Sequence, residues 1–171
     1  MFDLIIKNGT VIDGTGVPGY KADIGILNGK IAKIGNNLDN ADTTIDATGL
    51  VVSPGFIDSH SHADHKVFYF PEQREKLEQG ITTSVAGQCG GSVAPVKKDS
   101  QSDNVTEFGD PDEIRQTMSG FISTLSSHNL GANLVPFVGH GTIRKAVMGL
   151  SGATADAEQV KQMEELLTEC F

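Results

Sequence analysis

The sequence predicts an α/β protein in two parts, a β-rich segment at residues 1–49 and an alternating strand–helix segment at residues 50–171. Two observations carry this prediction. Short runs that alternate apolar and polar residues, joined by turn residues, fill the first segment and are typical of antiparallel strands. From residue 50 onward, apolar runs of strand length alternate with helical patterns. That order predicts a parallel sheet with right-handed crossovers.

Composition is that of an ordinary globular protein and argues against several classes of partner. The chain has 171 residues, enough for a sizeable hydrophobic core, and a formal net charge of −9. That charge argues against nucleic acid or an anionic membrane as a partner. The two cysteines, Cys89 and Cys170, are too few for a disulfide framework, and the sequence shows no pattern of a signal peptide or membrane span. We therefore expect a cytoplasmic location.

Short antiparallel strands are predicted in the first segment. The strongest signal is a hairpin in which Asn28-Gly29 separates two runs, because this pair supplies the two positive φ angles of a type I′ turn. Both arms of the hairpin alternate apolar residues with others, so we expect one buried face. The predicted strands are residues 4–7, 10–13, 22–27, 30–34 and 43–47.

Strands and helices alternate in the second segment. An almost continuous apolar run at residues 50–57 predicts a strand that is buried on both faces. Pro71 and Gly80 bound a short surface helix. Asp110 is predicted to cap a second helix after a polar loop, and Thr154 a third. The other strands are residues 81–86 and 134–138, the loop is residues 97–109, and the packing stripe of the second helix is Ile114, Met118, Phe121, Ile122 and Leu125.

Two histidines close the first of these strands. His60 and His62 stand at positions i and i+2, and in a strand that spacing puts both side chains on one face. Two imidazoles on one face can bind one metal ion. The alternative is a pair of half-buried histidines with local hydrogen bonds. The preceding Pro54-Gly55 turn and apolar strand, and the following Asp64, favour the metal site.

The other two strands also run into polar, glycine-rich segments that carry potential metal ligands. Cys89 follows the second strand and His140 follows the third. Ligands bind at the carboxyl ends of the strands in α/β folds, so three such ends favour a common site. Alternatives stay open for each residue. Cys89 could be a buried free thiol, His140 could only line a pocket, and Asp64 could either orient a ligand histidine or be a solvated carboxylate.

The sequence resembles the N-terminal part of the amidohydrolase superfamily in residues 3–14 and in the Pro-Gly-Phe-Ile-Asp-Ser-His-Ser-His run at residues 54–62. Within that superfamily, residues 87–95 and 138–144 are similar to the D-aminoacylase (N-acyl-D-amino-acid deacylase) branch. The His-x-His pattern is common to the superfamily. The Gly-Gln-Cys-Gly motif at residues 87–90 is narrower, because most relatives place a modified lysine where this branch uses cysteine.

The resemblance implies a (β/α)₈ TIM-type barrel. Residues 50–171 would supply its first part, and residues 1–49 would be strands of a small β-sandwich. It implies zinc as the cofactor, with His60, His62 and Cys89 as metal ligands. We expect Asp64 and His140 to contact the substrate or to support the metal ligands. The implied activity is metal-dependent hydrolysis of an N-acyl-D-amino acid, which yields a carboxylate and a free D-amino acid.

The resemblance also implies two further histidine ligands and a catalytic aspartate on later strands, and we assign no residue of this sequence to those roles. We therefore expect a complementary C-terminal polypeptide to supply the rest of the enzyme. The alternatives are an inactive truncated fragment, a non-enzymatic module that binds metal, and an amidohydrolase that acts on a different amide.

Overall fold

A computed structural model describes residues 1–96 and 116–171, and the chain divides into two compact units, Met1–Pro54 and Gly55–Phe171. The assignment of residues 1–49 to a small β-sandwich and of residues 50–171 to the first part of a barrel stays a prediction. None of the helices within the described ranges has the length and apolar character that a membrane-spanning helix requires.

The first unit is a five-stranded sheet. Its strands are β1 (Phe2–Val11), β2 (Tyr20–Leu27), β3 (Lys30–Gly35), β4 (Ala41–Asp46) and β5 (Val51–Val52). β1 pairs antiparallel with β2, and β2 pairs antiparallel with β3. β4 and β5 both pair with β1 in the parallel direction, so the prediction of antiparallel strands is wrong for β4. The reason is topological, because the chain leaves β3 at one edge and crosses to the far side of β1.

The predicted hairpin between β2 and β3 is confirmed. Asn28 and Gly29 form its turn with φ angles of 52° and 70°. The expected buried face is found on β2, where Ala22 and Ile24 are buried, but not on β3, where Ile31 is 64% exposed. β3 is an edge strand, and nothing among the described residues of this unit covers it.

The strands predicted at residues 4–7 and 10–13 form one continuous strand, β1. Its pairing with β2 shifts register between Ile6 and Gly9, and Asn8 at that point has a φ of 63°. The Asn8 N–H donates to the Asp23 carboxylate over 2.9 Å. This bond satisfies a backbone group that the irregular pairing leaves without a cross-strand partner, so the strand continues through the irregularity.

The second unit contains a three-stranded sheet in the order β6-β7-β8, and both pairings are parallel as predicted. Its strands are β6 (Phe56–Asp58), β7 (Ile81–Ala86) and β8 (Asn133–Pro136). Its helices are a 3₁₀ turn (Ala63–His65), α1 (Arg74–Leu77), α2 (Met118–Ser126), α3 (His140–Met148) and α4 (Ala157–Thr168).

The apolar run at residues 50–57 does not form one buried strand. It is divided between β5 in the first unit and β6 in the second, with Pro54 and Gly55 between them. The prediction of burial on both faces is also wrong for this chain. Phe56 is 60% exposed and Ile57 is 67% exposed, because no described part of the second unit covers these side chains.

Two helix predictions are revised by the structure, and one helix is additional to the prediction. The helix expected at residues 71–80 is limited to α1, and α4 begins after Asp156 instead of Thr154. Asp156 accepts from the Gln159 N–H and the Gln159 side chain accepts from the Asp156 N–H, which makes a capping box. The helix α3 was not predicted, because the glycines that flank His140 suggested a loop.

The helix α2 is described from its N-cap, Thr117, whose side chain accepts from the Gly120 N–H. The predicted cap Asp110, the residue Ile114 and the polar loop at residues 97–109 lie outside the described residues. The prediction that the stripe on this helix is packing surface is confirmed for Met118, Phe121 and Leu125, which are buried, but Ile122 is 44% exposed. The buried three pack with Val67, Val93 and Ala94 to form the core of the second unit.

Candidate metal centre

His60, His62 and Cys89 form a cluster at the carboxyl ends of β6 and β7. The His60 Nε2 atom lies 3.2 Å from the Cys89 Sγ atom, and one ligand atom from each of the three residues lies within 4.8 Å of the others. The rings of His60 and His62 are edge to face with centroids 6.1 Å apart. The histidines do not share a strand face as expected, because β6 ends at Asp58 and both lie in the segment that follows.

Two hydrogen bonds hold the histidine segment against the end of β7. The Ser61 N–H donates to the Val85 carbonyl over 2.9 Å, which continues the pairing of β6 with β7. The Gln88 Nε2 atom donates to the Ser59 carbonyl over 3.1 Å. Ser61 lies between the two histidines and Gln88 precedes Cys89, so these bonds fix the distance between the imidazoles and the thiol.

The backbone of residues 87–90 turns sharply to present the thiol. Gly87 and Gly90 have φ angles of 79° and 76°, and Cys89 itself has a φ of 55°. A Cβ atom on Gly87 would lie 2.1 Å from the Phe137 carbonyl oxygen, so only glycine fits there without displacing the backbone at the end of β8. The left-handed conformation of Cys89 is unusual for a residue with a side chain, and such strain is found at functional sites.

The segment after the turn is fixed to the start of α3. The buried Ser92 hydroxyl donates to the Ala94 carbonyl over 2.6 Å and accepts the Gly139 N–H over 3.0 Å. The Thr142 hydroxyl accepts the Ser92 N–H over 2.8 Å. The Thr142 N–H also donates to the Gly90 carbonyl over 3.2 Å. These bonds make the Cys89 turn and the His140 segment one supported unit.

Asp64 lies beside the cluster and is buried. Its side chain is 3% exposed, so the alternative of a solvated carboxylate does not apply. Neither carboxylate oxygen makes a hydrogen bond of normal geometry within the described ranges, although the Val93 backbone lies near. Burial raises the pKa of Asp64, and the charges of His65 and His62 oppose that rise. Asp64, His62 and His65 form a second group of ligand atoms within 4.8 Å of one another.

His140 is not a member of either group of ligand atoms among the residues that the structure describes. It begins α3, and its side chain lines the same open cleft of about 540 Å³ as Cys89. The other walls of this cleft come from β8, α2 and the end of α4. This position agrees with a lining residue more closely than with a metal ligand.

The donor set fits zinc. Zinc binds neutral imidazole nitrogen and cysteine thiolate. Catalytic zinc sites have three protein ligands and a fourth position that is open to water or substrate. His60, His62 and Cys89 are all exposed, so a metal ion could be approached by further ligands or by a substrate. Cys89 is a free thiol, and its exposure does not match the alternative of a buried thiol.

Two residues near the cluster were missed by sequence reasoning. His65 lies with its ring centroid 6.1 Å from that of His62, and its place three positions after His62 was the available signal. Lys76 forms an ion pair with Asp58 over 2.5 Å. No sequence pattern indicates a role for Lys76, because the sequence predicts a short surface helix there.

Two family models match this chain, and the Amidohydrolase model covers more than half of it. The model of the Amidohydrolase family matches residues 43–160, and that of the urease α-subunit N-terminal domain matches residues 1–56. A D-aminoacylase of Alcaligenes xylosoxydans xylosoxydans is 36% identical over 99% of this chain and 36% of the relative. An N-acyl-D-aspartate deacylase of the same organism is 37% identical over 99% of this chain and 34% of the relative.

A solved structure extends the agreement to the fold. The N-acyl-D-glutamate deacylase from Bordetella bronchiseptica, in complex with zinc and a phosphonate inhibitor, matches with a TM-score of 0.89 at 34% identity. The match covers 99% of this chain and 36% of that one. The mixed α/β fold is therefore similar to that of amidohydrolase structures, and the chain spans about a third of the length of the relatives it matches.

Proposed function

Because the chain belongs to the amidohydrolase family, in its D-aminoacylase branch, we propose that it carries the first part of a zinc-dependent enzyme that removes the acyl group from N-acyl-D-amino acids. The observation that carries this proposal is the 3.2 Å approach of His60 Nε2 to Cys89 Sγ, with His62 beside them. A thiol and two imidazoles meet at a sheet edge where α/β enzymes bind their ligands.

In this proposal His60, His62 and Cys89 hold the zinc ion. Zinc, when bound, polarises an amide carbonyl and activates water as a nucleophile. Hydrolysis breaks the bond between the acyl carbon and the amide nitrogen. Water supplies a hydroxide to the acyl carbon and a proton to the nitrogen. The products are a carboxylate and a free D-amino acid.

Asp64 and His140 have supporting roles in the proposal. Asp64 is buried beside His62 and His65, where its carboxylate can fix the orientation of a ligand imidazole. His140 lines the cleft in front of Cys89, where a substrate would approach the metal. Neither is assigned as the general base, which the proposal leaves to residues outside this sequence.

The proposal includes a larger fold. We infer that the β6-β7-β8 sheet is the first part of a (β/α)₈ barrel and that the first unit contributes strands to a small β-sandwich. Two observations support this inference: the relatives are nearly three times as long, and Phe56 and Ile57 leave apolar surface uncovered. The remaining ligands and the base would then come from the continuation of this polypeptide or from a complementary C-terminal polypeptide.

The experiment is a hydrolysis assay on paired D and L substrates. The purified protein, with any complementary polypeptide that accompanies it, is incubated with N-acetyl-D- and N-acetyl-L-forms of methionine, aspartate and glutamate. We expect the protein to release free D-amino acid. The release should stop when a chelator removes the zinc and should resume when zinc is restored. Stoichiometric zinc without hydrolysis would instead favour a non-enzymatic metal-binding module. Hydrolysis of a different amide would favour an amidohydrolase with another class of substrate.

A further inference from the structure

Lys76 connects α1 to the segment that carries the two histidines. Its Nζ atom lies 2.5 Å from the Asp58 Oδ2 atom and 3.4 Å from the Ser61 Oγ atom. Asp58 is two positions before His60, and Ser61 stands between His60 and His62. A single ammonium group therefore contacts side chains on both sides of the first proposed ligand.

The two partners of Lys76 control the backbone of the histidine segment. The other oxygen of Asp58, Oδ1, accepts the His60 N–H over 3.3 Å. Ser61 is buried, its Oγ atom accepts the Ala63 N–H over 3.2 Å, and its own N–H binds the Val85 carbonyl. A change in the position of Asp58 or Ser61 would be transmitted to the backbone from which the imidazoles project.

The ion pair of Lys76 differs in burial from the pairs on helix surfaces. The side chains of Lys76 and Asp58 are 20% and 25% exposed, whereas those of Lys161 and Glu165 are 66% and 63% exposed. Shielded pairs are screened less by solvent, and loss of one partner leaves the other charge without compensation.

We propose that Lys76 is a positioning residue of the metal centre, which fixes His60 and His62 for metal binding through its contacts with Asp58 and Ser61. Lys76 is not itself a ligand or an acid–base group in this proposal. The inference rests on the proposed function, because it assigns a role toward the metal that His60, His62 and Cys89 would hold.

The test is a cobalt titration of the purified metal-free protein and its variants. Cobalt(II) reports the site directly, because a thiolate ligand gives a charge-transfer absorption band. We expect Lys76→Met to bind cobalt about 10-fold more weakly, the lower end of the effect of removing a direct partner of metal ligands, because Lys76 acts on the ligands through Asp58 and Ser61. Lys76→Arg, which keeps the charge and the donors, is expected to retain most of the affinity.

Lys161→Met is the matched control, because it removes a lysine from an exposed ion pair far along the sequence from the histidines. All variants are compared below their unfolding temperatures, with the fold verified by circular dichroism. A purely structural role for Lys76 would lower the unfolding temperature without changing the cobalt affinity of the folded protein. That result, or equal weakening by Lys161→Met, would overturn the inference.

A double-mutant cycle with Asp58→Asn tests the route of the effect. If Lys76 acts through Asp58, the double variant should lose less cobalt affinity than the product of the fold-losses in the two single variants. Multiplicative losses would contradict that route. If Lys76→Met does not fold, Asp58→Asn is titrated in its place, and unchanged cobalt affinity would overturn the inference. A wild-type protein without the charge-transfer band would overturn the proposed function and this inference with it.

Discussion

The His60 imidazole and the Cys89 thiol lie 3.2 Å apart although 29 positions separate them in the chain. Their proximity is a consequence of the parallel pairing of β6 with β7, which brings the two carboxyl ends to one edge of the sheet. A backbone hydrogen bond from Ser61 and a side-chain bond from Gln88 fix the two segments on each other. The parallel pairing and these bonds therefore bring the two side chains to one edge of the sheet.

Cys89→Ala tests the thiol as a ligand. We expect the variant to lose tight zinc binding, because only two imidazoles of the described cluster would remain. Zinc content is measured by elemental analysis after dialysis. Cys170→Ala is the matched control, because Cys170 is the other cysteine. Its half-buried thiol donates to the Leu166 carbonyl, and the Cys170→Ala protein should keep its zinc. Stoichiometric zinc in Cys89→Ala would remove this residue from the ligand set.

Gly87→Ala tests the close approach beneath the Cys89 turn. An alanine at a positive φ costs about 1–2 kcal/mol, and here its Cβ would also lie 2.1 Å from the Phe137 carbonyl oxygen. We expect a larger loss of unfolding free energy than in Gly14→Ala, which has a similar φ of 83° but no atom within 4 Å of the added Cβ. Denaturant titration measures both. Equal losses would mean that the contact with Phe137 has no energetic weight.

Ser92→Ala tests the hydroxyl that joins the Cys89 turn to α3. The substitution leaves the Ala94 carbonyl and the Gly139 N–H without this buried partner. We expect a loss of about 1–3 kcal/mol in unfolding free energy and weaker zinc binding. Ser126→Ala removes an exposed hydroxyl bonded to the Ile122 carbonyl, and its effect should be within about 0.5 kcal/mol. A Ser92→Ala variant as stable as Ser126→Ala would contradict the role of the bond.

We expect Asp23 to make the stability of the first unit depend on pH. The Asn8 N–H, followed by that of Leu38, lowers the pKa of this buried carboxyl. A lowered folded pKa means that the contribution is full above the ordinary aspartate pKa of about 4 and is lost as pH falls through the folded value.

Asp23→Asn is therefore expected to be less stable than the wild type by about 1–3 kcal/mol at pH 7, with the difference shrinking below pH 4. Unfolding free energies at a series of pH values measure this difference. Asp42→Asn, an exposed position on β4, is the control and should show no such trend. A difference that is constant with pH would show that the two N–H bonds do not favour the ionised carboxylate.

The parts of the fold that sequence patterns predicted are those set by local chemistry. Asn28-Gly29 specified its hairpin because few residues adopt two consecutive positive φ angles. The alternation after residue 50 specified the parallel sheet, and the ends of its strands pointed to His60, His62 and Cys89. Each turn, strand or helix in these patterns is predicted from its own residues and depends little on distant contacts.

The errors arose where distant contacts decide the outcome. Nothing local in β4 shows that it pairs in parallel with β1, and the apolar run at residues 50–57 gave no sign that two units divide it. Glycines around His140 concealed α3, because their close contacts with the Gly90 backbone were not visible in the sequence. Lys76 was hidden for the same reason, since its partner Asp58 is 18 positions away.

The claim that His60, His62 and Cys89 together bind zinc can be tested by X-ray absorption at the zinc edge of the zinc-loaded protein. We expect one sulfur neighbour at about 2.3 Å together with imidazole nitrogens at about 2.0–2.1 Å. The sulfur signal should vanish in any zinc that Cys89→Ala retains. A wild-type spectrum with only nitrogen and oxygen neighbours would contradict the claim, because the thiol would then lie beside the metal without binding it.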